Sequence, residues 1–587
     1  MKSETKICQN CKQNFVIEPE DFDFYKKVSV PPPTFCPDCR LQRRLAWRNE
    51  RSFYRRTCSI CNKEVVARYA PEMPFPVVCI NCWHSDKYDP MAYGQAYDFS
   101  KPFFVQFNEL SRRTPRPALF STNVVNSDYC NNCLQTKNAY LSVGITRSED
   151  IYYSHRIDDS RDMVDVVFGN SCEQCGYSTD IGDSQGILFS RYVSGGLNSQ
   201  FIYEGKNVQN CFGCVNVRGV SNQIFNQQYS KEGYLEEIKK YDIGSYATLK
   251  EIKSAFVEFK KKFPKRYAMI QSSTNVVGDN IHNARNCKYA FDSHNGENLK
   301  YVMEIVDGGK DSYDINHGGL TLQLGYDASS CMGMSHKFSV GAFGHHIEYS
   351  ESCINQAGAY LFGCVSIPSK KEYCIFNKQY TKEEYELLYP KIIQHMKEMP
   401  YQDKGGRMYM YGEHLPIEIS PFAYNETAAQ EFFPLTKEEV LRRGYRWRDA
   451  ETKNYTITLK AENISDHIKD APDSILKETI SCEHAGICND QCATAFRLVE
   501  AELQFCRKMG VALPRLCPNC RHYEQLRERN PLKLWHRQCM CDYKTYQNTV
   551  KHGHHPTGRC PNEFETSYAP DRLETIYCEP CYNAEVV

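Results

Sequence analysis

Four Cys-x2-Cys pairs follow one another near the N-terminus: Cys8/Cys11, Cys36/Cys39, Cys58/Cys61 and Cys79/Cys82. Each pair fits a tight turn that presents two thiolates to one ion, and two such turns complete a tetrahedral four-sulfur site. The last two pairs enclose 17 residues, inside the usual window for structural zinc, and the first two enclose 24, slightly longer. Sequential pairing gives two ribbons; a cross-brace, first with third and second with fourth, satisfies the same spacings. The chain has 30 Cys in 587 residues and opens Met1-Lys2-Ser3-Glu4-Thr5-Lys6, without an apolar signal segment. Secreted disulfide scaffolds are usually short, so the expectation is a reduced, cytoplasmic protein whose cysteines mostly hold metal. No run of about 18 apolar residues occurs, and no membrane span is expected.

The C-terminus repeats the plan. The step from Cys11 to Cys36 equals that from Cys492 to Cys517, and the step from Cys39 to Cys58 equals that from Cys520 to Cys539. Phe35-Cys36-Pro37-Asp38-Cys39-Arg40 matches Leu516-Cys517-Pro518-Asn519-Cys520-Arg521. This duplication predicts a double zinc ribbon at each end and about four structural Zn2+ ions. The copy is imperfect. Either Cys482 or Cys488 can partner Cys492, because the segment between them reads as inserted. The last knuckle is Cys578/Cys581, but the one before it is Cys539-x-Cys541, whose short spacing strains a knuckle. Cys560, or one of His552, His554 and His555, can replace a ligand there. Cys506 sits in a helix-like stretch and reads as a buried thiol.

Between the modules runs a twelve-residue period. From Tyr289 the step meets Tyr301, Tyr313, Gly325 (beside Tyr326), Lys337 (beside Phe338), Tyr349, Leu361 and Tyr373. From Tyr140 it meets Tyr152, Val164, Gly176, Leu188, Gln200, Phe212 and Ile224. Short aromatic or β-branched strands between Asn, Asp, Gly and Ser turns at fixed spacing are a solenoid signature. A strand of about five residues plus a turn fills twelve, so two units per coil are expected. The solenoid is itself duplicated: Ser121-Thr122-Asn123-Val124-Val125 recurs as Ser273-Thr274-Asn275-Val276-Val277, and Phe212-Gly213-Cys214-Val215 as Phe362-Gly363-Cys364-Val365. Each copy runs into a polar helix, Ser230 to Lys262 and Thr381 to Met399, placed to cap a coil stack; Thr381-x-x-Glu384 is a capping box. The Cys-x2-Cys pairs Cys130/Cys133, Cys172/Cys175 and Cys211/Cys214 keep the repeat phase, as buried thiols stacked inside a coil would.

The expected fold is therefore mainly β with α additions: two tandem β-solenoid modules with helical caps, flanked by duplicated zinc ribbons. The segments are 1–90 (double ribbon), 91–120 (linker), 121–270 and 271–400 (solenoids with caps), 401–480 (connection) and 481–587 (double ribbon). In the connection, Thr436-x-x-Glu439 opens a short helix ending at Gly444, and no catalytic spacing is present.

The run Pro31-Pro32-Pro33-Thr34-Phe35-Cys36-Pro37-Asp38-Cys39-Arg40, the phrase Phe362-Gly363-Cys364-Val365 and the ending Tyr577-Cys578-Glu579-Pro580-Cys581-Tyr582-Asn583 resemble a group of uncharacterised proteins of candidate-phyla (Patescibacteria-type) bacteria. The resemblance covers nearly the whole chain and implies architecture rather than mechanism. Such relatives often carry a CoA-transferase label, but this sequence has neither a doubly wound pattern nor a placed catalytic carboxylate. It departs from the group between Cys482 and Cys492.

The strongest functional signal follows the second knuckle. Arg40, Arg43, Arg44, Arg48, Arg51, Arg55 and Arg56 face a single Glu50, with Trp47, Phe53 and Tyr54 interleaved. Continued as a helix, Arg40, Arg44, Arg48 and Arg51 share one face. Guanidinium forks suit phosphates and aromatics stack on bases, so RNA, single-stranded DNA or a ribonucleoprotein is the expected partner of Arg40, Arg43, Arg44, Trp47, Arg48, Arg51, Arg55 and Arg56. The bland alternative pairs these arginines with Glu18, Glu20, Asp21 and Asp23. Residues 1–120 carry a balance of +6 and residues 121–229 one of −4, so the chain is polarised although its formal charge is −1. The runner-up function is a protein-assembly scaffold using the Tyr/Asn-rich solenoid face, with zinc purely structural. An enzyme would need an open metal position, for which Cys539, Cys541, Cys560 and His554 are the candidates, and the sequence leans against it.

Overall fold

In the first coil stack the backbone enters the left-handed region at every third residue: Arg147, Asp150, Tyr153, Arg156, Asp159, Asp162 and Asp165 all have φ between 45° and 59°. Asn and Asp tolerate that region best, which is why they crowd the repeat. The structure, a computed structural model, describes residues 2–305, 308–319, 321–449, 455–544 and 548–586; residues 450–454 of the expected connection lie outside them.

Two extended residues followed by a left-handed one turn the chain so tightly that a coil closes in a single twelve-residue unit. Val143 pairs in parallel with His155, and His155 with Val167. Glu149 likewise pairs with Lys137 and with Arg161, on the other side of the coil. The expectation of two units per coil is thereby corrected: each side needs only a four-residue strand such as Glu149–Tyr152 and a two-residue corner. Every third side chain points inward. Ile145, Ile151, Ile157 and Met163 alternate there with Ser142, Ser148, Ser154 and Ser160, all buried. The serines are corner pins: Ser142 Oγ donates to Tyr140 O at 3.0 Å and accepts from Ser154 N at 3.1 Å. Such bonds satisfy buried amides that the strand ladder leaves over. The solenoid thiols occupy the same inward positions; Cys172 Sγ donates to Asn170 O at 3.2 Å and Cys211 Sγ to Gln209 O at 3.3 Å.

The second stack, from Ile270–Gln271 to Glu372–Ile375, is parallel too but uneven. Lys288 pairs with Lys300, Tyr313 with Tyr326, Val340 with Glu351, and His345 with Ala359. Its coils thus run from eleven to fourteen residues, which explains why the sequence step slips to Tyr326 and Phe338. Each stack ends in a strand turning back and a helix against the last coil. In the first copy the expected single helix is two, Lys231–Glu237 (continued by a 3-10 turn, Ile238–Lys240) and Tyr246–Lys260, interrupted at 241–245 and restarted by Ser245, whose side chain accepts from Thr248 N. In the second, Lys382–Glu398 carries the predicted Thr381/Glu384 capping box.

The terminal modules dock crosswise. The N-terminal module packs its helix Pro37–Leu45 on the second stack, and the C-terminal module packs helices Glu500–Met509 and Pro518–Glu528 on the first. Phe24 stacks on Tyr313 with centroids 3.8 Å apart. Phe505 approaches Gly176 so closely that a Cβ there would lie 2.9 Å from its ring. Among the described residues no helix is long and apolar enough to cross a membrane.

Candidate metal centres and the buried arginine cluster

Each candidate centre joins the turn of a β-hairpin to the start of a helix. In the first, Cys8 and Cys11 lie in the turn between strands Glu4–Ile7 and Asn14–Ile17, and Cys36 and Cys39 open the helix Pro37–Leu45. In the second, Cys58 and Cys61 lie between strands Tyr54–Thr57 and Glu64–Ala67, and Cys79 caps the helix Ile80–Trp83, within which Cys82 lies. The first pair therefore meets the second and the third meets the fourth, the sequential arrangement rather than the cross-brace. A helix start favours thiolates because its free amides and dipole face them.

The C-terminal module contains the same two frames with longer turns. Cys482 directly follows strand Ile480–Ser481, as Cys8 follows its strand, and Cys492 stands three residues before Ala495, as Cys11 stands before Asn14. These two meet Cys517 and Cys520, so Cys482 and Cys492 are the frame ligands and Cys488 belongs to the insertion. Its thiol still lies 3.6 Å from that of Cys520. Cys539 follows strand Trp535–Gln538 as Cys58 follows Tyr54–Thr57, and Cys560 precedes Glu563 by the same three residues as Cys61 precedes Glu64. Cys539, Cys560, Cys578 and Cys581 form the fourth set, all buried. Cys541 is thus not the knuckle partner of Cys539; Cys560 is.

One hydrogen bond recurs in all four centres. The amide of the third cysteine donates to the sulfur of the first: Cys36 N to Cys8 at 3.2 Å, Cys79 N to Cys58 at 3.3 Å, Cys517 N to Cys482 at 3.3 Å and Cys578 N to Cys539 at 3.2 Å. Sulfurs at about 2.3 Å from a tetrahedral ion sit about 3.8 Å apart. Observed separations are 3.6 Å for Cys11–Cys36, 3.9 Å for Cys61–Cys79, 4.0 Å for Cys492–Cys517 and 3.8 Å for Cys560–Cys578. A disulfide needs about 2.05 Å, so these are ion-sized clusters and all thirty cysteines are unbridged. Burial pushes the Cys58 thiol up, but amides of Cys61, Cys79 and Ile60 outweigh it and bring it down to about 6. A thiolate is the form that binds a metal. Four such groups can each hold one ion.

The arginine row is placed differently from expectation. The helix stops at Leu45 rather than continuing to Arg56. Beyond its cap at Ala46, Asn49 holds the chain in a turn, accepting from Ser52 N and donating to Ser52 O and Arg68 O. Arg40, Arg43, Arg44 and Arg48 are at most 5% exposed and Trp47 only 1%. Arg40 pairs with Asp314 at 2.9 Å, Arg43 with Asp327 at 2.5 Å and Glu413 at 2.9 Å, and Arg44 with Asp327 at 2.8 Å. Arg48 and Glu50 meet His155 and Arg156 of the first stack and Glu304 of the second. Half-buried Arg51 faces Asn519 Oδ1 at 3.3 Å, Arg56 donates to Ala70 O at 2.7 Å, and exposed Arg55 pairs with Glu64. Guanidinium groups enclosed by carboxylates cannot reach phosphates, so the expected nucleic-acid contacts at Arg40, Arg43, Arg44, Trp47 and Arg48 are corrected. The row is an internal clamp.

The partners are not the expected ones either. Glu20 and Asp21 instead bind Lys288 and Lys300 of the second stack. Sequence reasoning missed Asp314, Asp327 and Glu304. Their signal was present: all three occupy left-handed positions of the coils. The C-terminal module repeats the device, for Arg521, the counterpart of Arg40, lies 3.0 Å from Asp165 and 2.7 Å from Glu502.

Neither a family profile nor a curated protein matches the sequence. Among solved structures, one from Desulfovibrio desulfuricans G20, provisionally assigned as an acetyltransferase, is similar over 50% of this chain and 75% of its own, at 11% identity. Its TM-score of 0.10 carries no argument.

Proposed function

We propose that this chain is a scaffold: two coil stacks locked by structural zinc at both ends, docking a protein partner through an open aromatic column of the second stack. Four thiolates in tetrahedral spacing suit zinc, and a four-thiol zinc site leaves no position for a reacting water. Unbridged thiols fit a reducing compartment such as the cytoplasm.

The column carries the reading. His346, Tyr360 and Tyr373 stack coil upon coil, with centroids 4.8 Å and 5.1 Å apart and planes within 6°. Tyr360 remains 36% exposed, in a groove shared with Lys27, Lys337, Glu348 and Glu386. Rigid exposed tyrosines are typical anchors of protein interfaces. Stacked rings also suit bases, but Lys337 is paired with Glu348 at 2.8 Å and Lys27 with Asp311 at 3.1 Å, so phosphates would meet balanced charge.

A photo-crosslinking side chain at Tyr360, with one at exposed Leu235 as control, tests this in the native cell. A discrete, nuclease-resistant protein adduct from position 360 alone is expected. Adducts to RNA, or none above the control, would overturn the protein-scaffold reading.

A further inference from the structure

The turn inserted between Cys539 and Cys560 contains more ligand chemistry than the frame needs. Cys541, His552, His555 and Cys581 also converge, their donor atoms all within 4.8 Å of one another and the residues at most 5% exposed. Cys541 Sγ lies 3.5 Å from His552 Nδ1, which lies 3.2 Å from His555 Nε2, which lies 3.1 Å from Cys581 Sγ. These are roughly the donor–donor edges of a tetrahedron around an ion with bonds of about 2.0–2.3 Å. Cys581 already belongs to the neighbouring four-thiol set.

The geometry points to a second metal ion, zinc, held by Cys541, His552, His555 and Cys581, with the Cys581 thiolate bridging it to the ion of the four-thiol centre. Two observations beyond proximity support it. His552 Nε2 is 2.8 Å from Glu585 Oε1, so this nitrogen carries the proton and Nδ1 turns its lone pair inward. A carboxylate behind a histidine is the usual outer support of a metal-bound imidazole. Asn548 Nδ2 donates to Cys541 Sγ at 3.2 Å, as a donor does to a thiolate. Charge favours the pair as well. Four thiolates around one divalent ion leave about −2 in a buried place, whereas five thiolates around two ions leave about −1. Two thiolates and two imidazoles are a zinc set, and their burial reads as structural.

This inference rests on the four-thiol reading of the neighbouring centre, and the test separates the two. Elemental analysis of the zinc-loaded full chain should give five ions, and the double variant Cys541→Ser/His552→Ala should give four. Four ions in both proteins, or five in both, would overturn the bridged site while leaving the four-thiol centres standing. Fewer than four in the parent chain would remove those centres and the bridge with them. Should the double variant fail to fold, Glu585→Gln keeps every ligand. Competition with a chromophoric chelator should then show one ion weakened about 10- to 100-fold and the rest unchanged; no weakened ion would likewise overturn the site.

Discussion

The two terminal modules share one frame and differ in their turns. In the N-terminal module each hairpin turn is short, Cys8 to Cys11 and Cys58 to Cys61, and the Cys-x2-Cys spacing survives. In the C-terminal module the same turns run from Cys482 to Cys492 and from Cys539 to Cys560, and the spacing is lost while the geometry is kept. What fixes a ligand is therefore its distance from a strand end and not its distance from the next cysteine. The long turns also bury more of the sulfur: the second centre has one buried and three half-buried cysteines, the fourth has four buried. The docking differs in kind too. Asp327 faces Arg43 and Arg44, whereas Arg521 is shared between Asp165 and Glu502.

The largest effect expected is that of removing metal, because structural zinc contributes about 10–16 kcal/mol of apparent binding energy per site in small domains. Chelation should disorder both modules while the coil stacks keep most of their β circular dichroism, since each coil leans on its neighbours. Release followed with a colorimetric chelator should begin at Cys58/Cys61/Cys79/Cys82 and finish at Cys539/Cys560/Cys578/Cys581. The reverse order would break the link between turn length and protection. Next in size is the clamp. Asp327→Ala removes a carboxylate that two arginines share, leaving Arg43 with Glu413 and Arg44 with Asp314, and should cost about 3 kcal/mol in urea unfolding, the low end for breaking a buried pair. Asp165→Asn should cost much less, because Asp165 pairs with one guanidinium and Asp327 with two; equal losses would make the two docks alike.

Acidity sharpens the same contrast. Burial, with Glu502 adding to it and Arg521 only partly opposing it, pushes Asp165 up to about 7. Unfolded, that carboxyl titrates near 4, so between about pH 4 and 7 the unfolded chain holds fewer protons at this position and stability falls as pH rises. Burial would also raise Asp327, but Arg43 and Arg44 outweigh it and hold the group well below the usual carboxylate range. Its contribution is complete above about pH 4 and is lost only as the solution becomes more acidic. Melting temperature followed from pH 4 to 7 should therefore decline less in Asp165→Asn than in the parent. A smaller difference lies in the third centre: Cys492→Ser should release one zinc, whereas Cys488→Ser should keep the metal content of the parent. Loss of an ion from Cys488→Ser would mean that the inserted thiol, not the frame position, is the ligand.

Much of this was legible in residues alone. Paired cysteines gave the ligands of the N-terminal module but left the cross-brace open, and equal steps exposed the duplication. The twelve-residue beat gave the coil stacks, although one beat and not two closes a coil. The three-residue beat beneath it went unread because inward positions alternate Ile with Ser, so a hydrophobic pattern shows only half of them; the Asn and Asp at left-handed positions carried the signal instead. The arginine face was misread for a physical reason as well. Charge density in sequence does not say whether the counter-charges are local, and here Asp314 and Asp327 come from coils far along the chain. Cys560 was open as a replacement ligand, but only the hairpin register singles it out over Cys541.

If strand ends place the ligands, all four duplicated frames hold an ion despite the unequal turns. Anomalous diffraction at the zinc edge from crystals of the full chain tests it most directly. A peak is expected inside each of the sets Cys8/Cys11/Cys36/Cys39, Cys58/Cys61/Cys79/Cys82, Cys482/Cys492/Cys517/Cys520 and Cys539/Cys560/Cys578/Cys581. A C-terminal frame without a peak, or a fourth peak bound through Cys541 in place of Cys560, would contradict it.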